Sequence, residues 1–306
     1  MMRRQVNGIL LLDKSPEISS NHALQQVKKL FAAKKAGHTG SLDPIATGML
    51  PICFGEATKF SQFLLESNKI YRVIAKVGIQ TSTGDREGEV IKTLDHDGIT
   101  EARLAAMFPT FTGPLDQIPP MHSAIKYKGQ PLYKLARKGI EIERKARRVN
   151  IFQLTLERFQ DEYFTFTVHC SKGTYIRTLV EDICQALGTV GHVWELRRLN
   201  VSPYSNTLMY TLPALSQIFE NAGMNGLLGC LLPVESAVQI YPAIKLSASA
   251  AFYLRMGQSV RATCPLEAPF VRLMSEDAKF LGIGEVMKDA RVKPHRLLSQ
   301  PLAQAS

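Results

Sequence analysis

Apolar and polar positions follow two periods along this chain, and their order predicts a mixed α and β protein. The apolar run Gly8-Ile9-Leu10-Leu11-Leu12 is closed by Asp13-Lys14, which predicts a short buried strand ending in a polar turn. Ser19, Ser20 and Asn21 offer N-cap oxygens, and Leu24, Val27, Leu30 and Phe31 follow at helical spacing. Lys28, Lys29, Lys34 and Lys35 gather at the C-terminal end of that helix, where cations suit the helix dipole. Residues 36–58, rich in Gly, Thr and Pro, read as a loop. In the next strand Tyr71, Val73, Ala75, Val77 and Ile79 share one face, with Arg72, Ile74 and Lys76 on the other. A polar turn at 81–88 and a short strand at 89–92 follow.

The second half continues the mixture. Strands are predicted over 149–159 and 162–170, the latter with Phe164, Phe166, Val168 and Cys170 on one face. Ile176, Leu179, Val180, Ile183 and Leu187 then trace a helical stripe stopped by Gly188. Residues 211–237 read as helical pieces joined by Pro213 and Pro233. A tail begins near Tyr241-Pro242, with one helix over 247–256 stopped by Gly257 and β segments over 270–274, 280–286 and 291–297. The expected fold class is α+β, with a mixed, largely antiparallel sheet flanked by helices over 1–240. Residues 241–306 form a small β-rich module that needs support from the main domain.

Composition narrows the function. The 306 residues suit about two domains. The 37 Lys and Arg against 27 Asp and Glu give a net charge of +10, which favours a polyanionic partner, nucleic acid above all. No apolar run approaches the ~18 residues of a membrane span, and Ile9 to Leu12 is too short for a signal-peptide core. A soluble cytoplasmic protein is therefore expected. The five cysteines, Cys53, Cys170, Cys184, Cys230 and Cys264, form no C-x-x-C pair and read as small buried hydrophobes. No His or Cys spacing suggests a metal site, so no metal is expected. Residues 118–148 carry Lys126, Lys128, Lys134, Arg137, Lys138, Arg144, Lys145, Arg147 and Arg148 with Tyr127 and Tyr133 interleaved. Charge for phosphates and flat rings for bases are what an RNA-binding surface needs.

One block carries chemistry. Gly37-His38-Thr39-Gly40-Ser41-Leu42-Asp43-Pro44, followed by Ala46-Thr47-Gly48-Met49-Leu50-Pro51, resembles the catalytic loop of the bacterial tRNA pseudouridine-55 synthases, the TruB family. The resemblance continues through Gly55-Glu56-Ala57-Thr58-Lys59, Lys69-Ile70-Tyr71-Arg72-Val73, Ser171-Lys172-Gly173-Thr174-Tyr175-Ile176-Arg177 and His192-Val193-Trp194-Glu195-Leu196-Arg197-Arg198-Leu199. These blocks keep family order over most of residues 7–210, and the tail is similar, less specifically, to the family's PUA-like RNA-binding module. The resemblance implies a pseudouridine synthase core and an isomerase that needs no cofactor or metal. Such an enzyme cuts the N-glycosidic bond of one T-loop uridine, rotates the base and rejoins it through carbon. It also implies tRNA as partner, docked by T-loop and elbow, with no membrane or obligate protein partner and no need for more than a monomer.

The residue types suit the task. A carboxylate held still and ionised is a fitting nucleophile, although an isolated Asp-Pro is ordinarily a turn. The resemblance implies Asp43 as that nucleophile. Arg177 would keep it charged, lowering its pKa, and orient it through two parallel hydrogen bonds. Tyr71 would stack on the uracil and assist removal of the carbon-5 proton, in place of the commoner core role of a strand tyrosine. His38 would pack against the rearranged loop, and Tyr175 and Leu196 would complete the base pocket. Lys14, Lys59 and Arg72 would contact phosphates. The base must leave its stack to reach Asp43.

The sequence departs from the family at its first motif. Where the family reads Asp-Lys-Pro-x-Gly-x-Ser-Ser, this chain has Asp13-Lys14-Ser15-Pro16-Glu17-Ile18-Ser19-Ser20. If the glycine supplied a positive φ, Glu17 must strain or rebuild the turn. Weaker RNA affinity with unchanged chemistry is expected. Two other readings are weighed beside this one. An RNA chaperone that opens the T-loop would not need Asp43 and is compatible with catalysis. A glycoside hydrolase would need paired carboxylates, and no second acidic residue shares a motif with Asp43.

Overall fold

The computed structural model describes residues 3–299. Eight strands build the principal sheet: β1 (Gly8–Lys14), β2 (Ala36–His38), β3 (Thr47–Phe54), β4 (Lys69–Val77), β7 (Gly113–Gln117), β10 (Arg147–Gln160), β11 (Tyr163–Cys170) and β12 (Gly191–Val201). Their order is β1-β3-β12-β4-β11-β10-β7, with β2 beside β3. Every pairing is antiparallel except the short parallel contact of β12 with β3, where Arg197 and Arg198 face Thr47 and Gly48. The sheet is thus mixed and largely antiparallel, as the strand pattern implied. Two small hairpins stand off it: β5 (Ile79–Thr81) with β6 (Val90–Thr93), and β8 (Lys126–Tyr127) with β9 (Gln130–Pro131).

Helices cover the sheet for readable reasons. In α1 (Ser20–Leu30), Ser19 caps the start by accepting the His22 N–H, and Ala23, Leu24 and Val27 bury one stripe. α5 (Ile176–Ala186) buries Leu179, Val180, Ile183 and Cys184, and the chain leaves at Gly188 with φ +85°. Short helices α2 (Ser61–Leu65), α3 (Glu101–Met107) and α4 (Leu132–Ala136) fill the connections.

Two sequence expectations need correction. Residues 47–54 are not loop but the buried strand β3, flanked by β1, β2 and β12 in the sheet. Gly48 and Pro51 disguised it. Pro51 is tolerated because it lies one position beyond the last β2 rung, His38 with Ile52, and there the Thr39 N–H donates to the Pro51 carbonyl. Pro213 does not join helical pieces either. It sits in the first turn of α6 (Leu212–Gly229), where a missing N–H costs nothing, and the break falls at Gly223 with φ +59°.

The last five strands form a second sheet: β13 (Ala243–Lys245), β14 (Val260–Arg261), β15 (Phe270–Met274), β16 (Phe280–Val286) and β17 (Arg291–Leu297), ordered β13-β15-β16-β17-β14 beside α7 (Ala248–Arg255). Its own core is small, built on Ile244, Leu254, Val271, Leu273 and Val292. Phe280 and Ile283 turn instead to Phe60, Leu64, Tyr204 and Val238, and the Phe60 and Phe280 rings lie 5.5 Å apart. The module thus borrows apolar surface from the rest of the chain, as its size required. Cys53, Cys170, Cys184 and Cys230 are buried free thiols, and no described helix is long and apolar enough to cross a membrane.

Candidate active site

The Asp43 loop is held from both sides by its own chain. Buried Ser20 donates to the Leu42 carbonyl at 3.0 Å and accepts the Leu42 N–H at 2.7 Å. The Pro44 carbonyl accepts from the Glu17 N–H at 2.9 Å and from Lys14 Nζ at 3.1 Å. Lys14 also donates to the carbonyls of Ser15 and Ile18, both at 2.8 Å. These bonds sew the 13–20 turn to the loop and leave Asp43 no freedom to swing with a mobile backbone. They also overturn one expectation. Lys14 is only 1% exposed, so it is an internal clamp and contacts no phosphate. Burial pulls its pKa down to about 8 against the opposing attraction of Asp43.

Glu17 occupies the left-handed region with φ +66°. The turn is therefore kept and strained, not rebuilt, in the place where the family motif has glycine.

Arg177, near the start of α5, reaches Asp43 with Nε at 3.1 Å from Oδ2. The expected pair of parallel bonds is absent because the rest of the guanidinium is already engaged. One terminal nitrogen donates to the Thr83 carbonyl at 2.8 Å and lies 3.6 Å from Asp85 Oδ2, and the other donates to the His122 carbonyl at 2.7 Å. Asp43 is 38% exposed at its side chain, whereas Asp85 is buried. The Asp43 pKa is raised, not lowered as expected: burial outweighs the pull of Arg177, and Asp85 adds to the rise.

Asp85 is the residue that sequence reasoning missed. It lies in the turn between β5 and β6, where its Oδ1 accepts Thr83 Oγ1 at 2.6 Å and the Glu87 N–H at 3.1 Å. The Arg86 N–H donates to the Val193 carbonyl and the Val193 N–H to the Gly84 carbonyl, both at 3.0 Å, pinning this turn to β12. The polar run Thr81-Ser82-Thr83-Gly84-Asp85 was the signal, but a turn aspartate in a sequence does not announce a buried arginine.

The remaining predicted residues divide. Tyr71 and Leu196 share one face of the sheet, since Tyr71 stands opposite Arg198 and Val73 opposite Leu196 in the β4 and β12 ladder. Tyr175 caps α5, its N–H donating to Gln117 Oε1 at 3.0 Å, and its ring is half-buried close to Asp43 and Arg177. His38 stands in β2, and its Nδ1 is buried without a partner among the described residues. Lys59 does not face a phosphate path. It bonds Glu56 at 2.8 Å, the Leu297 carbonyl at 3.1 Å and Ser299 Oγ at 2.7 Å, tying the second sheet to the first. Arg72 is exposed and pairs with Glu157 at 2.8 Å.

A cavity of about 400 Å³ lies between α5, the β5–β6 hairpin and the start of β12, and its lining includes none of Asp43, Tyr71 and Arg177. Among the described residues no three His, Cys, Asp or Glu side chains cluster as a metal site.

Three family models tile almost the whole chain: TruB family pseudouridylate synthase, N-terminal domain, over 28–176; tRNA pseudouridylate synthase B C-terminal domain over 177–239; and pseudouridine synthase II TruB, C-terminal, over 242–298. The chain belongs to the TruB family. It is 51% identical to the tRNA pseudouridine synthase B of Coxiella burnetii (strain RSA 331 / Henzerling II), over 98% of this chain and 97% of that one. It is 50% identical to the tRNA pseudouridine synthase B of Pseudomonas putida (strain GB-1), over 97% of each. A chain in the crystal structure of a Cbf5-Nop10-Gar1 complex shares the TruB-type fold, with a TM-score of 0.73 and 24% identity over 96% of this chain and 84% of that one.

Proposed function

We propose that the protein isomerises uridine-55 of the tRNA T-loop to pseudouridine, with Asp43 as nucleophile. The observation that carries the reading is a partly exposed carboxylate on a clamped loop, paired to a buried arginine and close enough to Tyr71 to act on its hydroxyl. The reaction breaks the bond from uracil N1 to the ribose and forms one from C5, so C5 loses a proton and N1 gains one. Asp43 attacks only as an anion, and burial works against that form, so Arg177 must hold it ionised. The Nε contact leaves the carboxylate's other oxygen, Oδ1, unclaimed by Arg177 and available to the substrate. Tyr71 stacks on the flipped base and assists in removing the C5 proton, and Leu196 and Tyr175 bound the pocket.

The RNA meets the basic segment 118–148, which is anchored by the His122 carbonyl on Arg177, by buried Ser123 and Leu132 and by the start of β10, with most of its basic side chains exposed between these points. There Lys128 covers the Tyr127 ring at 5.5 Å and Arg137 the Tyr133 ring at 5.7 Å, pairs of cation and ring suited to phosphates and bases. The module from 241 onward adds RNA-binding surface. The test is tritium release from an unmodified tRNA transcript labelled at uridine C5, without added cofactor. Wild-type protein is expected to release tritium from one T-loop uridine, and Asp43→Asn to bind the transcript within about threefold while releasing none. Release by Asp43→Asn at a few per cent of the wild-type rate would count against nucleophilic catalysis.

A further inference from the structure

The mechanism leaves the buried cation of Arg198 unused. Arg198 is only 1% exposed and heads the largest fully buried side chains. A buried arginine is ordinarily paired with a carboxylate, because an uncompensated charge in the interior is costly. Among the described residues no carboxylate lies within ion-pair distance of Arg198. Its neighbour in sequence, Arg197, has one: both ends of its fork bind Asp13, at 2.7 and 3.0 Å.

Arg198 bonds backbone instead. Nε donates to the Met49 carbonyl at 2.7 Å, and one terminal nitrogen to the Gly40 carbonyl at 3.1 Å. Met49 belongs to β3, and Gly40 lies three residues before Asp43. Across the β12 and β4 ladder Arg198 stands directly opposite Tyr71, on the face shared with Leu196. Close approach of the strands is built in, since a Cβ on Gly48 would meet the Arg198 carbonyl at 2.2 Å. One side chain therefore touches the strand behind the nucleophile loop, the loop itself, and the register position of the tyrosine.

Resting on the reading of the site as a pseudouridine synthase, we propose that Arg198 is a positioning residue that sets the Tyr71 hydroxyl against the Asp43 loop. A guanidinium has only donors, so the Tyr71 oxygen can meet it only as an acceptor. The hydroxyl's own hydrogen must then point away from Arg198. The missing carboxylate follows from the same role: a counter-ion would quench the positive field that the tyrosine oxygen, or negative charge developing on the detached uracil, otherwise feels. Burial raises the Tyr71 pKa, and the Arg198 charge opposes that rise.

Single-turnover tritium release with Arg198→Met, Arg198→Lys, Tyr71→Phe and the double variants tests this. Arg198→Met is expected to slow turnover about 100-fold, leave tRNA affinity within about threefold, and shift the basic limb of the pH profile upward. In the Tyr71→Phe background the same change is expected to cost less than about threefold, because its effect runs through the hydroxyl. Equal cost in both backgrounds, or a turnover rate for Arg198→Met within threefold of wild type, overturns the proposal. If Arg198→Met does not fold, Arg198→Lys keeps the charge but loses the fork, and the same cycle with Tyr71→Phe decides on the same criterion. Wild-type protein that releases no tritium would instead overturn the functional reading beneath it.

Discussion

Replacing Glu17 by glycine is expected to stabilise this protein without touching its chemistry. Glu17 holds φ at +66°, and its N–H donates to the Pro44 carbonyl beside Asp43. A residue with a Cβ in the left-handed region costs about 1–2 kcal/mol, which glycine avoids. Glycine also frees the unfolded chain, at a cost of about 0.4–1 kcal/mol. The net gain is about 1 kcal/mol, or about 2 °C in melting temperature for a chain of this length. Urea and thermal unfolding measure it, with Glu17→Ala as the control that removes the charge and keeps the Cβ. The alanine variant is expected to stay within about 0.5 kcal/mol of wild type. An exposed carboxylate this near the loop repels a polyanion approaching Asp43, so both variants should lower KM for tRNA about twofold at low salt. The clamp is made by backbone and by Lys14, so kcat should not change. Equal stabilisation by alanine and glycine, or a loss with glycine, would refute the strain argument. An unchanged or raised KM would refute the charge argument.

Three further outcomes follow from the packing and charges. Asp85→Asn removes a negative neighbour that raises the Asp43 pKa, so the acid limb of the single-turnover rate should move to lower pH; movement to higher pH would contradict the assigned sign. Lys69, which bonds the carbonyls of Leu64, Leu65 and Ser67, has its pKa lowered by burial from 10.5 to about 8. Between those values the unfolded chain binds more protons than the native one, so stability relative to Lys69→Met should rise from about pH 7.5 to about pH 9.5 in urea titrations, and a flat difference would sink the idea. Phe60→Ala empties a fully buried site against Phe280 and should cost about 3–5 kcal/mol by denaturant unfolding; a loss under about 1 kcal/mol would mean that the two sheets do not share that core.

Strands bounded by clear polar turns were legible from the sequence whether or not they alternate, and β3, interrupted by a proline, was missed. Residues 162–170 and 270–274 carry period-two patterns, 280–286 is a nearly unbroken buried run, and these segments and 291–297 fold where the sequence placed them. β3 was lost because it is buried on both faces and so reads as a run, Met49 to Phe54, broken by one proline. What makes that proline harmless is that β2 ends one rung short of it, a property of pairing that no local window contains. The break in α6 was placed at Pro213 for the same kind of reason. Proline stops a helix only from its second turn onward, and where the first turn lies depends on Thr211 acting as the cap.

The site was legible in its residues and less so in its charges. Asp43, Arg177, Tyr71 and Leu196 follow from motif blocks, and the fold brings their strands together. The basic residues Lys14 and Lys59 were read as surface charges because lysines usually are. Lys14 is instead drawn inward where three carbonyls, of Ser15, Ile18 and Pro44, converge at a chain bend and supply the acceptors that water would otherwise provide. Arg198 obeys the same rule with Met49 and Gly40. A cation can thus be buried without an anion wherever loops turn their carbonyls toward one point, and such points occur where loops are folded tightly enough to hold a nucleophile still. The buried cations around Asp43 are therefore a consequence of clamping its loop, and one of them, Arg177, bridges the two carboxylates of Asp43 and Asp85.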